Sequence, residues 1–450
     1  MTSQILQGNA LEVLATLPEA SVQMCVTSPP YWSLRDYGVP PSIFGGAVGC
    51  EHKWKGAGAG AGYTGQKRWQ HSKRGDGSES EPVTRAAAPD SWGEISQGST
   101  CTRCGAWIGC LGLEPTPELY VEHIVAIFDQ VRRVLRDDGT LWLNLGDCYA
   151  ASGRGGDTGK SGLQGSTRSQ DESKRMVAFA LRARGWYLRS DIIWAKTNPM
   201  PESIGDRPTK SHEYVFLLAK SESYYYDAEA VRERDGGVSA GNRTRKHRRD
   251  HGGSKALTNT HQGFGVPWTS GGGRNRRSVW TLSTAPFPGA HFATFPPKLV
   301  EPCILAGTSE HGACAICGAP FRRVVKRGEP LTAQMAVAGA DAAGEYHGKA
   351  QKTYTGTGAQ DPSAVKARIL AGMRERITTG WKRTCKHTLS AIDPCVVLDP
   401  FAGSGTTGMV AAMHGRSFLG IELNPAYVAM AGERVARGIT EHDCRKDVSA

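Results

Sequence analysis

Residues 396–424 constrain the fold more than any other stretch of this 450-residue chain. They read Val-Val-Leu-Asp-Pro-Phe-Ala-Gly-Ser-Gly-Thr-Thr-Gly-Met-Val-Ala-Ala-Met-His-Gly-Arg-Ser-Phe-Leu-Gly-Ile-Glu-Leu-Asn. An apolar strand, Val396 to Leu398, enters a turn containing Gly403, Gly405 and Gly408. A helix starts near Thr406, and a second strand, Ser417 to Ile421, ends at Glu422. Glycines let the backbone approach a ligand closely, and an acid at the end of the next strand can accept hydrogen bonds from both hydroxyls of a ribose. The spacing therefore predicts a parallel, helix-covered sheet that holds a nucleoside cofactor. No Lys-Ser or Lys-Thr follows the glycines, which disfavours a phosphate-binding P-loop. The Asp-Pro-Phe ahead of them is no requirement of a dinucleotide loop.

The same alternation of strand and helix runs through much of the chain. Gln4 to Asn9 reads as a strand and turn, Ala10 to Leu17 as a helix and Val22 to Val26 as a buried strand. That strand stops at Thr27-Ser28-Pro29-Pro30-Tyr31-Trp32, because neither proline donates a ladder hydrogen bond. Ser28 and the aromatics thus occupy a stiff strand-end loop, the place where parallel α/β sheets bind ligands. Thr116-Pro117 opens a helix with Ile124, Ile127, Phe128, Val131, Val134 and Leu135 on one face, predicted to close at Asp138-Gly139. Further strands are expected over Thr140–Leu145, Ser190–Lys196 and Glu213–Lys220, with helices over Ser173–Arg184 and up to Leu305. The fold class is α/β, with a Rossmann-like, mostly parallel central sheet. Segments 1–46, 111–230, 281–310 and 391–450 carry this pattern. Segments 47–110 and 311–390 interrupt it as insertions, and 231–280 is a basic loop region.

A formal charge of +11 points to a polyanionic partner, nucleic acid first. Arg243, Arg245, Lys246, Arg248 and Arg249, then Arg274, Arg276 and Arg277, are phosphate-contact candidates or simply a solvated surface. No stretch approaches the ~18 apolar residues of a membrane span and the N-terminus lacks a signal pattern, so no membrane partner and a cytoplasmic location are expected. Twelve cysteines in such a chain favour metal ligation or buried thiols over disulfides. Cys50-Glu51-His52 and Cys101-Thr102-Arg103-Cys104 lie in the first insertion, Cys314-Ala315-Ile316-Cys317 and Cys385-Lys386-His387 in the second. Each insertion supplies a Cys3His set of the kind zinc takes in structural sites, within a stretch too polar to build its own core. Ordinary thiols are the alternative, and pairing across the two insertions stays open.

Asp399 to Gly405 and Ser28-Pro29-Pro30-Tyr31 together resemble the motifs of amino-group DNA methyltransferases dependent on S-adenosylmethionine. The order of the motifs, catalytic before cofactor, resembles the circularly permuted class found in bacteria and phages. The resemblance covers roughly half the chain and implies a methyltransferase domain made of the four regular segments. It implies cofactor contacts from Asp399, Pro400, Phe401, Ala402, Gly403, Ser404, Gly405 and Thr406, and from Glu422 and Leu423. Thr27 is added from the catalytic strand end. The turn at Gly8-Asn9 resembles the segment near the adenine, although Asn9 stands where the family usually has an acid. Phe295 and Lys298, within His291 to Lys298, resemble the segment that packs on the methionine end. Double-stranded DNA is the implied partner, and a cognate restriction endonuclease is consistent with the resemblance. The two zinc insertions are not general features of the family.

In the implied chemistry the Ser28 hydroxyl and the Pro29 carbonyl accept hydrogen bonds from an exocyclic amino group. That localises the nitrogen lone pair, and positioning with electrostatics supplies the catalysis. Tyr31 would stack on a base extruded from the duplex. Ser28, where adenine enzymes of the family more often carry Asp, favours N4 of cytosine, with N6 of adenine as the alternative. An inactive, zinc-containing DNA-binding protein is the rival from another class. Methylation at cytosine C5 would need Cys303 or Cys395, which follow prolines on a helix and at a strand start and not on a strand-end loop.

Overall fold

The computed structural model describes residues 2–32, 37, 39–55, 98–146, 173–199, 201, 208–233, 274–285, 295–330, 374–388 and 391–449. Asp147, Cys148, Arg243 to Arg249, His291 to Thr294 and part of the Thr197–Ser211 loop lie outside these residues.

The first compact unit comprises residues 1–226, 278–320 and 384–450. Its main sheet contains β1 (Ser3–Gln7), β2 (Val22–Thr27), β7 (Leu135–Leu145), β8 (Tyr187–Lys196), β9 (His212–Ala219), β10 (Val279–Leu282), β15 (Val396–Asp399) and β16 (Ser417–Glu422). The eight strands run in the order β1-β16-β15-β2-β7-β9-β8-β10. All neighbours are parallel except β9, which is antiparallel to both β7 and β8. Every residue of β2 is buried, as an interior parallel strand covered on both faces requires. Leu398 of β15 lies opposite Cys25 of β2. Two strands nearly four hundred residues apart in sequence thus end side by side, and the loops that follow them share one sheet edge.

Helices α1 (Ala10–Thr16), α2 (Pro117–Val134), α3 (Ser173–Ala183), α4 (Pro297–Gly307), α5 (Thr406–Met413) and α6 (Pro425–Ser449) belong to this unit. Thr116 caps α2 through its side chain, which accepts from Leu119 N at 3.3 Å, and Pro117 takes the first helical turn. The helix ends at Val134, short of the predicted Asp138-Gly139. Leu135 is fully buried and pairs with Val22, while Thr140 pairs with Met24, so residues 136–139 bulge out of the ladder. Burial in the sheet outweighed continuation of the helical face.

The cysteine-rich segments depart from the expected insertions. A four-stranded sheet, β3 (Ser42–Phe44), β4 (Trp54–Lys55), β5 (Ser99–Cys101) and β6 (Trp107–Gly109), begins inside the segment read as 1–46. Phe44 and Trp107 are 4% and 2% exposed and join the main core with Tyr120 and Ile124, so this part is more apolar than its composition implied. In the second segment, β11 (Ala313–Cys314) pairs with β14 (Ile392–Asp393) within the first unit. Residues 321–383 cluster instead with 227–277 as the second unit. That unit holds an antiparallel ribbon of β12 (Arg322–Pro330) and β13 (Arg374–Lys382), with Arg323 paired to Asp227 at 3.0 Å and lying over the Trp381 ring. Glu233 bridges Arg274 and Arg277 at 2.7 and 2.9 Å. No helix among the described residues is long and apolar enough to cross a membrane.

Candidate active site

The loop after β2 is held from several sides. Tyr120 on α2 donates to the Pro30 carbonyl at 2.8 Å, and Trp32 Nε1 donates to the Glu114 carbonyl at 2.9 Å. Glu114 is itself buried between Gly112 N, at 2.8 Å, and His123 Nδ1, at 2.9 Å. Pro29 is buried, while Ser28, Pro30 and Tyr31 are half-buried. Ser28 Oγ lies 3.1 Å from the Tyr31 hydroxyl. That hydroxyl donates to Glu213 Oε2 at 3.0 Å and accepts from Asn144 Nδ2 at 2.6 Å. Burial, with the Glu213 carboxylate beside it, pushes the Tyr31 phenol well above its ordinary value. Gly146 explains how the ring fits: a Cβ there would lie 2.6 Å from Tyr31 Cε2.

Ser28 and Pro30 form part of the wall of a cavity at the same sheet edge, with about 1130 Å³ of empty space counting its open mouth. Asn9, Phe295, Pro400, Phe401, Ala402, Gly403, Ser404, Thr406, Glu422 and Leu423 also line it, all of them residues expected to touch the cofactor. Four others are not on its wall. Lys298 is exposed, Gly405 sits beneath the loop, and the side chains of Thr27 and Asp399 turn into the protein. Asp399 accepts from Thr27 Oγ1 at 2.6 Å, Thr407 Oγ1 at 2.7 Å and Phe401 N at 3.0 Å, which makes it a brace for the loop. Gly405 adopts φ +78°, and a Cβ on it would meet the Ala431 backbone at 2.7 Å, so the turn and the close approach of α6 both require glycine.

Glu422 receives Gly403 N and Asn424 N, each at 2.8 Å, one on each carboxylate oxygen. Burial raises its carboxyl, and these amides oppose the rise. Asn9 lines the cavity, but its Oδ1 caps α1 by accepting from Leu11 N at 2.8 Å. Its side chain therefore works first for the helix. Sequence reasoning missed Phe44, Tyr427, Asn144, Glu213 and Lys196. Tyr427, two residues beyond the helix-opening Asn424-Pro425, lines the cavity beside Glu422. The signal for the other polar three was a lone Asn, Glu or Lys at a strand position within an apolar run.

These residues fit S-adenosylmethionine. The wall combines aromatic faces at Phe295, Phe401 and Tyr427 with a half-buried acid, Glu422, at a strand end, the mix of apolar lining and a few placed polar groups that small-molecule sites use. Cys303 and Cys395 are 1% and 0% exposed and absent from the wall, so neither is placed to attack a substrate.

Both cysteine sets come together as groups. The ligand atoms of Cys50, His52, Cys101 and Cys104 lie within 4.8 Å of one another, as do those of Cys314, Cys317, Cys385 and His387. Cys104 Sγ is 3.4 Å from His52 Nδ1, and Cys314 Sγ is 3.7 Å from His387 Nδ1. Tetrahedral zinc with bonds of ~2.0–2.3 Å sets ligand–ligand edges of about 3.5–3.8 Å. Gly105 and Gly318, at φ +75° and +66°, follow the two Cys-x2-Cys pairs, and their N–H groups return to the Cys101 and Cys314 carbonyls. Burial would raise the Cys101 thiol, but His52 and backbone amides bring it down to about 6, while the neighbouring Cys104 and Cys101 push Cys50 up to about 11.

The N6_N4_Mtase family model, described as DNA methylase, matches residues 22–315 and 389–433. The type II methyltransferase M.Cfr9I of Citrobacter freundii is 31% identical over 444 residues, covering 96% of this chain and 87% of the relative. M.XycI of Xanthomonas campestris pv. cyanopsidis is 31% identical over 448 residues, with the same coverage. M.SmaI of Serratia marcescens is 28% identical over 447 residues, covering 96% of this chain and 91% of its own. The Ser28–Tyr31 loop, the cavity beside it and these matches agree, and the chain belongs to the family of S-adenosylmethionine-dependent amino-group DNA methylases.

Proposed function

We propose that the protein methylates the exocyclic N4 of a cytosine that has left the stack of double-stranded DNA. The observation that carries this reading is the shared wall: Ser28 and the Gly403–Glu422 turn face one cavity. S-adenosylmethionine, when bound, supplies an electrophilic methyl group. Glu422 and the backbone around Gly403 hold the nucleoside end, with Phe295 and Phe401 offering apolar faces. Ser28 Oγ and the Pro29 carbonyl accept from the target amino group and localise its lone pair. The attacking nitrogen becomes acidic as it is alkylated, so no strong general base is needed. Tyr31 offers its ring to the extruded base from a position backed by Gly146.

Cytosine is preferred because residue 28 is Ser and not the Asp more usual for adenine in this family. The two Cys3His groups each hold one structural zinc. The second unit and the basic 231–280 stretch supply phosphate contacts, and a companion endonuclease with the same target is the partner that the type II relatives point to. The test is transfer of a labelled methyl from S-adenosylmethionine to duplex DNA. The label should enter DNA with the wild-type protein and fall by at least ~100-fold with Ser28→Ala. Absence of label in wild type refutes the reading.

A further inference from the structure

Glu213 lies on β9, outside the motifs that carry the resemblance, at the centre of the groups behind Ser28. Its Oε2 accepts from the Tyr31 hydroxyl at 3.0 Å and from Asn144 Nδ2 at 2.9 Å. Its Oε1 is ion-paired with Lys196 Nζ at 2.5 Å, and the two side chains are 16% and 21% exposed. Asn144 is buried; its Nδ2 also donates to the Tyr31 oxygen at 2.6 Å and, in a longer contact of 3.4 Å, to Ser28 Oγ.

A hydroxyl has one proton to donate. The Glu213 carboxylate takes that of Tyr31, and the Asn144 amide occupies the Tyr31 oxygen from the donor side. The remaining link, 3.1 Å between Tyr31 and Ser28, must therefore carry the proton of Ser28 toward Tyr31. Ser28 has then directed its proton away from the cavity, and with the Asn144 contact on one lone pair its oxygen keeps the other as an acceptor toward the cavity. A conjugated amino group, which donates and does not accept, needs an acceptor at that place.

We propose that Glu213, ion-paired with Lys196, is a positioning residue that sets the direction of the Ser28–Tyr31 hydrogen-bond chain, so that Ser28 meets the target amino group as an acceptor. The proposal rests on Ser28 as the residue that binds the amino group. Glu213→Gln keeps the shape of the side chain but brings an amide able to donate to Tyr31, which frees the chain to reverse.

Single-turnover methyl transfer, equilibrium binding of S-adenosylmethionine and of duplex DNA, and the 13Cζ tyrosine NMR titration of Tyr31, assigned through Tyr31→Phe, test this together. In Glu213→Gln the rate should fall at least ~30-fold, both affinities should stay within about twofold, and the Tyr31 resonance should titrate at lower pH. Tyr31→Phe, which leaves the Glu213–Lys196 pair in place, should show a similar fall. The double variant should lose no more than about threefold beyond the worse single one. A wild-type rate in Glu213→Gln, multiplicative losses in the double variant, or an unmoved Tyr31 resonance overturns the proposal. If Glu213→Gln fails to fold, a wild-type rate and a lost Tyr31 link in Tyr31→Phe are read the same way. If the wild-type protein transfers no methyl group, the role of Ser28 fails, and the Tyr31 titration alone still decides whether Glu213 controls that proton.

Discussion

Thr27 and Asp399 are 372 residues apart in the chain and are joined side chain to side chain at 2.6 Å. The bond ties the end of β2, ahead of Ser28, to the end of β15, ahead of the glycine loop. Burial pushes the Asp399 carboxyl up to about 6, against the three hydrogen bonds that hold it down. A folded pKa above the unfolded ~3.9 means the native state binds the proton more tightly. The stability this contributes is present below ~4 and is lost as pH rises through the folded value. Asp399→Asn should accordingly gain melting temperature relative to wild type as pH rises from about 4 through about 6, and hold that gain at higher pH. A difference independent of pH would contradict the assignment. Thr27→Val, which removes one of the two hydrogen bonds to Asp399 Oδ1 and leaves that of Phe401 N, should cost about 1–3 kcal/mol in urea unfolding.

Gly146→Ala tests the seat of the Tyr31 ring. The added Cβ would stand 2.6 Å from Cε2, so the ring must move. Methyl transfer is expected to fall by roughly tenfold or more, with S-adenosylmethionine binding within about twofold of wild type by calorimetry.

Glu422→Gln addresses the cofactor alone. The variant replaces one acceptor oxygen with a donor facing an N–H of Gly403 or Asn424. Charge-assisted hydrogen bonds contribute about 1.5–3 kcal/mol, so affinity for S-adenosylmethionine should drop by roughly 10- to 100-fold. Retained affinity in calorimetry would place the nucleoside elsewhere.

Metal analysis of the purified protein should find about two zinc ions per chain, and a strong chelator should lower the melting temperature. Cys104→Ser and Cys317→Ser should each remove about one. Phe44 of β3 and Cys110, just beyond β6, line the cavity. Cys104→Ser should therefore also weaken S-adenosylmethionine binding, whereas Cys317→Ser should leave it near wild type.

Much of the fold was legible because strand-turn-helix units write themselves locally: the prolines after Ser28 end a strand, and glycines before Thr406 open a helix. The position of Ser28 and Glu422 at strand ends, both on the cavity wall, was legible for the same reason. The roles of Thr27 and Asp399 were not legible, since motif position gives no side-chain direction, and both turn inward to each other. Glu213 and Asn144 meet only because β9 runs antiparallel beside β7, placing Asn144 opposite Val215, and no local pattern states that pairing. The end of α2 was misplaced because Leu135 satisfies both the helical face and the sheet, and tertiary burial decided between them.

The most direct test of the central claim is mass spectrometry of nucleosides from duplex DNA incubated with the protein and isotopically labelled S-adenosylmethionine. The account predicts label in N4-methylcytosine. Label in N6-methyladenine would contradict the reading of Ser28, and unlabelled nucleosides would contradict the assignment of the cavity as a methyl-transfer site.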